Sequence, residues 1–205
     1  MPTERSGLLV VDVQNDFVPG GALPVPEGDH VVPVLNEYIR RFHQAGRPVY
    51  LSRDWHPAQS KHFREYGGPW PPHCIQGTPG AEFHPQLEVR PEAIIVTKGT
   101  DPEEDAYSAF QGHTPDGQLF AERLRRDGVT HLYVGGLATD YCVRASALDA
   151  LRQGLRVTIL LDAVRGVDVQ PGDSERALAE LREAGADTTT LDSLQFEQAT
   201  NPSGP

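Results

Sequence analysis

Short apolar runs alternate along the chain with segments in which apolar residues recur at helical spacing. Runs of strand length lie at positions 7–13, 48–52, 93–97, 131–135 and 155–161, with a candidate sixth strand at 188–191. Helical spacing predicts helices at 34–42, 118–127, 139–153 and 174–184, each closed by a glycine, the second capped by Asp116. Buried strands that alternate with amphipathic helices indicate a three-layer α/β/α fold. We expect a mostly parallel sheet of five or six strands.

The length of 205 residues suits one domain, which we expect to span positions 1–205. Within it, the interval from about 54 to 91 is long and rich in proline, glycine and histidine. A loop of that length in a compact domain is usually functional, and this one has room for a short helix. We expect the tail at 201–205 to fray.

Charge and cysteine content exclude several classes of protein. The chain has 29 acidic and 18 basic residues and a net charge of −11, which argues against nucleic acid and anionic membranes as partners. No apolar run is long enough for a membrane span or a secretory signal, so we expect a cytoplasmic protein. The two cysteines, Cys74 and Cys142, make no disulfide framework and indicate a reducing compartment.

Four chemically reactive side chains stand where four predicted strands end. Asp12, Asp54 and Lys98 close the first three strands, and the fourth leads through a Gly-Gly turn to Cys142. Because ligands bind outside the carboxyl ends of parallel strands, we expect these residues to share one edge of the sheet. Lys98 is one of only two lysines, and unlike arginine it can give and take a proton.

Cys142 is the candidate nucleophile. If Thr139 caps the following helix, Cys142 lies in its first turn, where the helix N-terminus favours the thiolate and lowers the thiol pKa. A lone buried cysteine is more often inert packing, but the strand-end position favours function. Asp12 is then either a proton partner for the thiol or a structural ion pair with Lys98, and the two roles are compatible. Together the three side chains suit acyl transfer.

A second group of side chains suits a transition metal. Asp54 and His56 are two positions apart in an extended segment and point to the same side, and His62 and His73 follow in the long loop. One carboxylate with two or three imidazoles suits Zn, Fe(II) or Mn(II), of which we favour Zn. We expect surface positions for the remaining histidines His30, His43, His113 and His131, and we leave His84 open.

The chain resembles the nicotinamidase branch of the isochorismatase-like cysteine hydrolases over roughly positions 8–192. The resemblance rests on five segments, at 11–17, 54–56, 70–80, 98–99 and 135–142. The Trp-Pro-x-His-Cys segment at 70–74, together with Asp-x-His, is specific to that branch. Other members of the family share the sheet and often the triad but lack this metal set.

The resemblance implies a role for each site residue. Asp12, Lys98 and Cys142 would form the catalytic triad, and the backbone N–H groups of Ala138, after a cis peptide bond, and Cys142 would form the oxyanion hole. Asp54, His56 and His73 would bind the metal. His62 is the favoured fourth ligand, with Ser60 as the alternative. The further implied residues are Phe17 and Trp70, which would sandwich a pyridine ring, and Cys74, which looks structural.

The function implied is hydrolysis of nicotinamide to nicotinate and ammonia, with activity on pyrazinamide and a place in NAD salvage. The partner is then a small aromatic amide, and the metal orients its ring nitrogen. Homodimers are common in the family, and the sequence leaves this open. Three alternatives remain. The chain could act on a different small amide, it could be a metallohydrolase in which Cys142 is incidental, or it could be a catalytically silent binding protein.

Overall fold

A computed structural model describes residues 4–196 of the chain, so the predicted fraying of 201–205 lies outside the described residues. Six strands form one sheet in the order β3-β2-β1-β4-β5-β6, with every neighbouring pair parallel. The strands are β1 Ser6–Val11, β2 Val49–Asp54, β3 Ile94–Lys98, β4 His131–Leu137, β5 Arg156–Arg165 and β6 Asp187–Thr189. The predicted α/β class, the parallel sheet and the sixth strand are confirmed.

Four α-helices cover the two faces of the sheet: α1 Val31–Gln44, α2 Phe120–Arg126, α3 Arg144–Arg152 and α4 Asp173–Glu183. On β1, Leu8 and Val10 pack in the core beside α1, whereas Leu9 and Val11 belong to the core under the other three helices. This period-two alternation is how a strand buried on both faces serves two cores. Among residues 4–196, no helix combines the length and apolarity that a membrane crossing needs.

Two predicted details are wrong. Asp116 does not cap α2, because Leu119 holds the cap position and the Asp116 carboxylate accepts a hydrogen bond from the Thr114 hydroxyl instead. His131 is not a surface residue. It opens β4 with 1% of its surface exposed, and its ring nitrogens bond to Glu4 and Thr158. The long loop carries two single turns of 3-10 helix, Arg64–Tyr66 and Pro79–Ala81.

The strand order places the carboxyl ends of β3, β2, β1 and β4 side by side. Near its end, β4 passes close to β1 at Gly136, whose φ is +114° and where an added Cβ would lie 2.2 Å from the carbonyl oxygen of Val11. Only glycine fits this approach. The chain then turns into the helix that carries Cys142.

Candidate active site

A single buried ammonium group lies among three reactive side chains at the carboxyl edge of the sheet. Lys98 Nζ lies 2.8 Å from Asp12 Oδ2 and 3.7 Å from Cys142 Sγ, and it also donates a hydrogen bond to Asp54 Oδ1. It donates a further bond of 3.1 Å to the Ala106 carbonyl. The four strand-end residues predicted to share one edge therefore do so, in contact with one another.

Burial sets the proton affinity of Asp12 and Cys142. It raises the pKa of the Asp12 carboxyl, and although Lys98 opposes this, the Asp54 carboxylate adds to it. Burial likewise raises the pKa of the Cys142 thiol well above its usual range, against the pull of Lys98. The prediction that the helix start lowers the thiol pKa is therefore wrong for the resting site. Lys98 pulls the Asp12 pKa down, but by less than burial and the Asp54 carboxylate together raise it.

Asp54 is the strong acid of the group. Burial alone would raise its pKa, but Lys98 and the neighbouring His56 outweigh burial and hold it well below the ordinary value. A carboxylate that stays ionised in a buried site is suited to bind a cation. Asp12, with its raised pKa and a 2.7 Å hydrogen bond from Ser52, is instead suited to exchange a proton.

Cys142 lies in the first turn of a helix, as expected, although the turn differs in detail. Thr139–Val143 forms one turn of π-helix that runs into α3, and Ala138, not Thr139, holds the cap position. The peptide bond between Leu137 and Ala138 is cis, as the resemblance implied. Asp140 accepts hydrogen bonds from the backbone N–H groups of Val167 and Asp168.

Three imidazoles gather beside Asp54. The nitrogens that His56, His62 and His73 can offer to a metal all lie within 4.8 Å of one another. Asp54 Oδ2 is 3.4 Å from His56 Nε2 and 3.8 Å from His73 Nε2. The structure thus brings together the three imidazoles that were predicted as ligands and places Asp54 beside two of them. Ser60, the alternative to His62, is buried and accepts a 3.1 Å hydrogen bond from the His62 backbone N–H.

The outer nitrogen of each imidazole is held by an oxygen acceptor. Nδ1 of His56 is 3.1 Å from the Gly99 carbonyl, Nδ1 of His73 is 2.8 Å from the Pro71 carbonyl, and Nδ1 of His62 is 2.8 Å from the carboxylate of Asp105. An Nδ1–H donor leaves the Nε2 lone pair free for a metal.

Two further observations fit a divalent transition metal at this cluster. Within residues 4–196, His56 Nε2 is buried without a hydrogen-bond partner. Burial also lowers the pKa of His73 to about 4, so that ring is neutral near pH 7.

A pocket with aromatic walls opens onto these groups. Cys142, Ala138, Asp54, His62 and His73 reach it, and further lining comes from Phe17, Trp70, Tyr107, Tyr141, Leu137 and Val167. The Trp70 and Tyr141 rings meet edge to face, with 5.0 Å between their centroids. Trp70 Nε1 also donates a 2.9 Å hydrogen bond to the Tyr107 hydroxyl. The Phe17 ring packs against the His73 ring, with 5.5 Å between the ring centroids. The sequence prediction missed Tyr107, which lies in a loop without periodicity or motif. It also gave no role to Tyr141, although this residue precedes Cys142 within the segment 135–142.

A parallel α/β sheet that sets a buried thiol, a carboxylate and an ammonium group beside a metal-binding cluster has the arrangement of a small-molecule hydrolase. Residues 6–193 match the profile of the Isochorismatase domain, and the chain belongs to the isochorismatase family.

Individual relatives are similar over most of their length. The nicotinamidase of Escherichia coli (strain K12) is 42% identical over an aligned length of 201 residues, and the match covers 90% of this chain and 94% of the relative. The crystal structure of the pyrazinamidase of Pyrococcus horikoshii in complex with zinc is 50% identical with a TM-score of 0.85, covering 91% of this chain and 99% of that one. PnC1 from L. infantum in complex with nicotinate is 32% identical with a TM-score of 0.83, covering 94% and 96%.

Proposed function

We propose that this protein hydrolyses nicotinamide to nicotinate and ammonia, and pyrazinamide to the corresponding acid, through a thioester on Cys142. The observation that carries the proposal is the shared pocket: Cys142 and the ligand cluster face the same aromatic-walled cavity. A thiol with a carboxylate and an ammonium suits amide cleavage. The metal cluster and aromatic walls suit a flat ring that carries a nitrogen donor. The similarity to a nicotinamidase and a pyrazinamidase supports this choice of amide.

Asp54, His56, His62 and His73 would hold one divalent transition metal ion. When bound, the ion supplies a ligand position for the ring nitrogen and withdraws electron density from the ring. The three imidazoles and one carboxylate suit zinc, and the similar pyrazinamidase was solved in complex with zinc. With the ring nitrogen fixed, Phe17 and Trp70 would hold the two faces of the ring, which leaves the carboxamide near Cys142.

Acylation begins with a protonated thiol. Sγ of Cys142 attacks the carboxamide carbon while its proton passes to the Asp12 carboxylate, whose raised pKa makes it a competent acceptor. The developing oxyanion is bound by the backbone N–H groups of Ala138 and Cys142. The proton then moves from Asp12 to the departing nitrogen, the C–N bond breaks, and ammonia leaves a thioester.

Deacylation repeats these steps with water. Asp12 takes a proton from the attacking water, whose oxygen bonds to the thioester carbon, and the C–S bond breaks to release nicotinate. The proton held by Asp12 returns to the Cys142 sulfur. Lys98 stays charged throughout because the two carboxylates raise its pKa further than burial lowers it. Its ammonium group therefore stabilises negative charge on the sulfur and on Asp12.

The test is ammonia release from nicotinamide by the purified protein before chelation, after chelation, and after metal is restored. We expect turnover that falls on chelation and returns with zinc, iron or manganese. The absence of turnover with every metal would overturn the proposal in favour of a silent binding protein.

Both cysteines among the described residues are free thiols, which suits the cytoplasm, where we place this activity.

A further inference from the structure

One loop braces four side chains of the site. The segment 99–107, which follows β3 and is called the β3 loop below, supplies a hydrogen-bond acceptor to each of them. The pairs are Gly99 carbonyl with His56 (3.1 Å), Asp105 carboxylate with His62 (2.8 Å), Ala106 carbonyl with Lys98 (3.1 Å) and Tyr107 hydroxyl with Trp70 (2.9 Å).

Asp105 differs from the other anchors of the imidazoles. His56 and His73 are held by the backbone carbonyls of Gly99 and Pro71, which persist whatever side chain is present. His62 is held by a carboxylate whose own side chain is 58% exposed, whereas the side chain of His62 is 3% exposed. The orientation of one buried ligand therefore depends on one replaceable side chain at the surface.

We propose that Asp105 is a positioning residue, which holds His62 in the ring orientation and tautomer that present Nε2 to the metal. A carboxylate that accepts the Nδ1–H bond fixes the ring and increases the basicity of the other nitrogen. This inference rests on the ligand role of His62 in the proposed function. The new element is that the β3 loop, through Asp105, sets the metal affinity of the site.

The β3 loop is itself held in place on both sides of Asp105. The Lys61 N–H donates to the Pro102 carbonyl at 2.8 Å, so the residue before His62 is fastened to the loop through its backbone. The Lys61–Glu103 ion pair is exposed and adds little to this. The Gln111 side chain donates to the Asp105 carbonyl at 2.8 Å and accepts from the Tyr107 N–H at 3.0 Å. The carboxylate thus extends from a braced backbone.

The test measures the affinity of the folded, full-length protein for Zn²⁺ alone, by competition with a chromophoric chelator. We expect Asp105→Ala to weaken zinc binding by about 10- to 100-fold. Asp105→Asn keeps an oxygen acceptor and should lose less. Glu103→Gln is the matched control, because it removes an exposed acid of the same loop that pairs with Lys61 and not with His62. It should leave the affinity unchanged.

A double-mutant cycle separates orientation of His62 from a general effect on the loop. In a His62→Ala background, Asp105→Ala should cause no further loss. The Co²⁺-loaded protein should also change its visible absorption in Asp105→Ala and not in Glu103→Gln. An unchanged affinity in Asp105→Ala, or an equal loss with and without His62, overturns the proposal. Because these readouts involve no turnover, failure of nicotinamide hydrolysis would count against the proposed function and not against this role of Asp105.

Discussion

Lys98 and Asp54 form a buried ion pair that joins the surroundings of the thiol to the metal-ligand cluster. The same ammonium group lies 2.8 Å from Asp12 and 3.7 Å from the sulfur of Cys142. Two carboxylates therefore share one buried cation. Burial raises the pKa of Asp12 and the neighbouring Asp54 carboxylate adds to the rise, whereas Lys98 and His56 keep Asp54 ionised. Two chemically identical side chains are therefore suited to different tasks.

The shared cation predicts unequal stability effects in the metal-free protein. Lys98→Met leaves two buried carboxylates without their partner and should lower the free energy of unfolding by about 3–5 kcal/mol. Asp54→Asn leaves Asp12 and Lys98 paired, so it should cost clearly less. Urea unfolding in the presence of a chelator measures both. Equal losses in the two variants would contradict the sharing of Lys98 between the carboxylates.

A pH profile tests Asp12 as the proton acceptor. Because Asp12 must be ionised to accept the thiol proton, kcat/KM at saturating metal should rise with pH through the Asp12 pKa. The hydrogen bond from Ser52 lowers that pKa. Ser52→Ala should therefore move the acid limb to higher pH, and Asp12→Asn should reduce turnover by about 10²- to 10⁴-fold at every pH. A shift of the limb to lower pH in Ser52→Ala would argue against this assignment.

The aromatic walls should act on substrate binding more than on chemistry. Phe17→Ala and Trp70→Ala should each raise the KM for nicotinamide by about tenfold, with a smaller change in kcat, because stacking is present before and after attack. Tyr107→Phe removes the hydroxyl that fixes the Trp70 ring and should have a milder effect of the same kind. Steady-state kinetics measures all three. A loss confined to kcat would mean that the rings do not hold the substrate.

The sequence predicted the strands and the residues at their ends because both follow from local pattern and from the rule for parallel sheets. Asp12, Asp54, Lys98 and Cys142 could be placed at one edge without knowing any contact. Their sharing of one ammonium could not be predicted, since it depends on side-chain geometry across three strands. The direction of the thiol pKa was also missed, because burial raises that pKa and outweighs the pull of Lys98.

The long loops were the other limit of sequence analysis. Asp105 and Tyr107 reach the site or its ligands through tertiary contacts that follow no periodicity. His131 was wrongly predicted to lie at the surface, because a polar residue can be buried where partners for it are present. It lies at a strand end, where an imidazole can stack on Tyr133 at 4.3 Å and bond to Glu4 and Thr158, so a polar residue is buried with its partners.

Gly136 should tolerate no side chain. An alanine there would adopt an unfavourable φ and place its Cβ against the Val11 carbonyl at the point where β4 passes β1. We expect Gly136→Ala to lower the free energy of unfolding by more than about 2 kcal/mol. Gly154→Ala is the matched control, because its φ is also positive but nothing lies within 4 Å of the added Cβ. Thermal unfolding compares the two, and equal losses would assign the cost to φ alone.

The metal ligands separate the thiol mechanism from one in which the metal activates water. Asp54→Ala should weaken metal binding and raise KM, yet Cys142 should still be alkylated by iodoacetamide, because the thiol does not depend on the metal for its reactivity. Mass spectrometry of the labelled peptide provides the measurement. The water mechanism predicts a different pair of results. The metal-free protein would be inactive, and the metal-loaded protein would keep full turnover after alkylation of Cys142.

The most direct test of the account is ammonia release from nicotinamide by Cys142→Ala, with metal content measured in the same samples. Cys74→Ala is the matched control, since Cys74 is the second buried thiol. We predict that Cys142→Ala binds metal like the wild-type protein and loses turnover by at least about 10⁴-fold, whereas Cys74→Ala remains active. Turnover by Cys142→Ala within about tenfold of wild type would contradict the thioester mechanism.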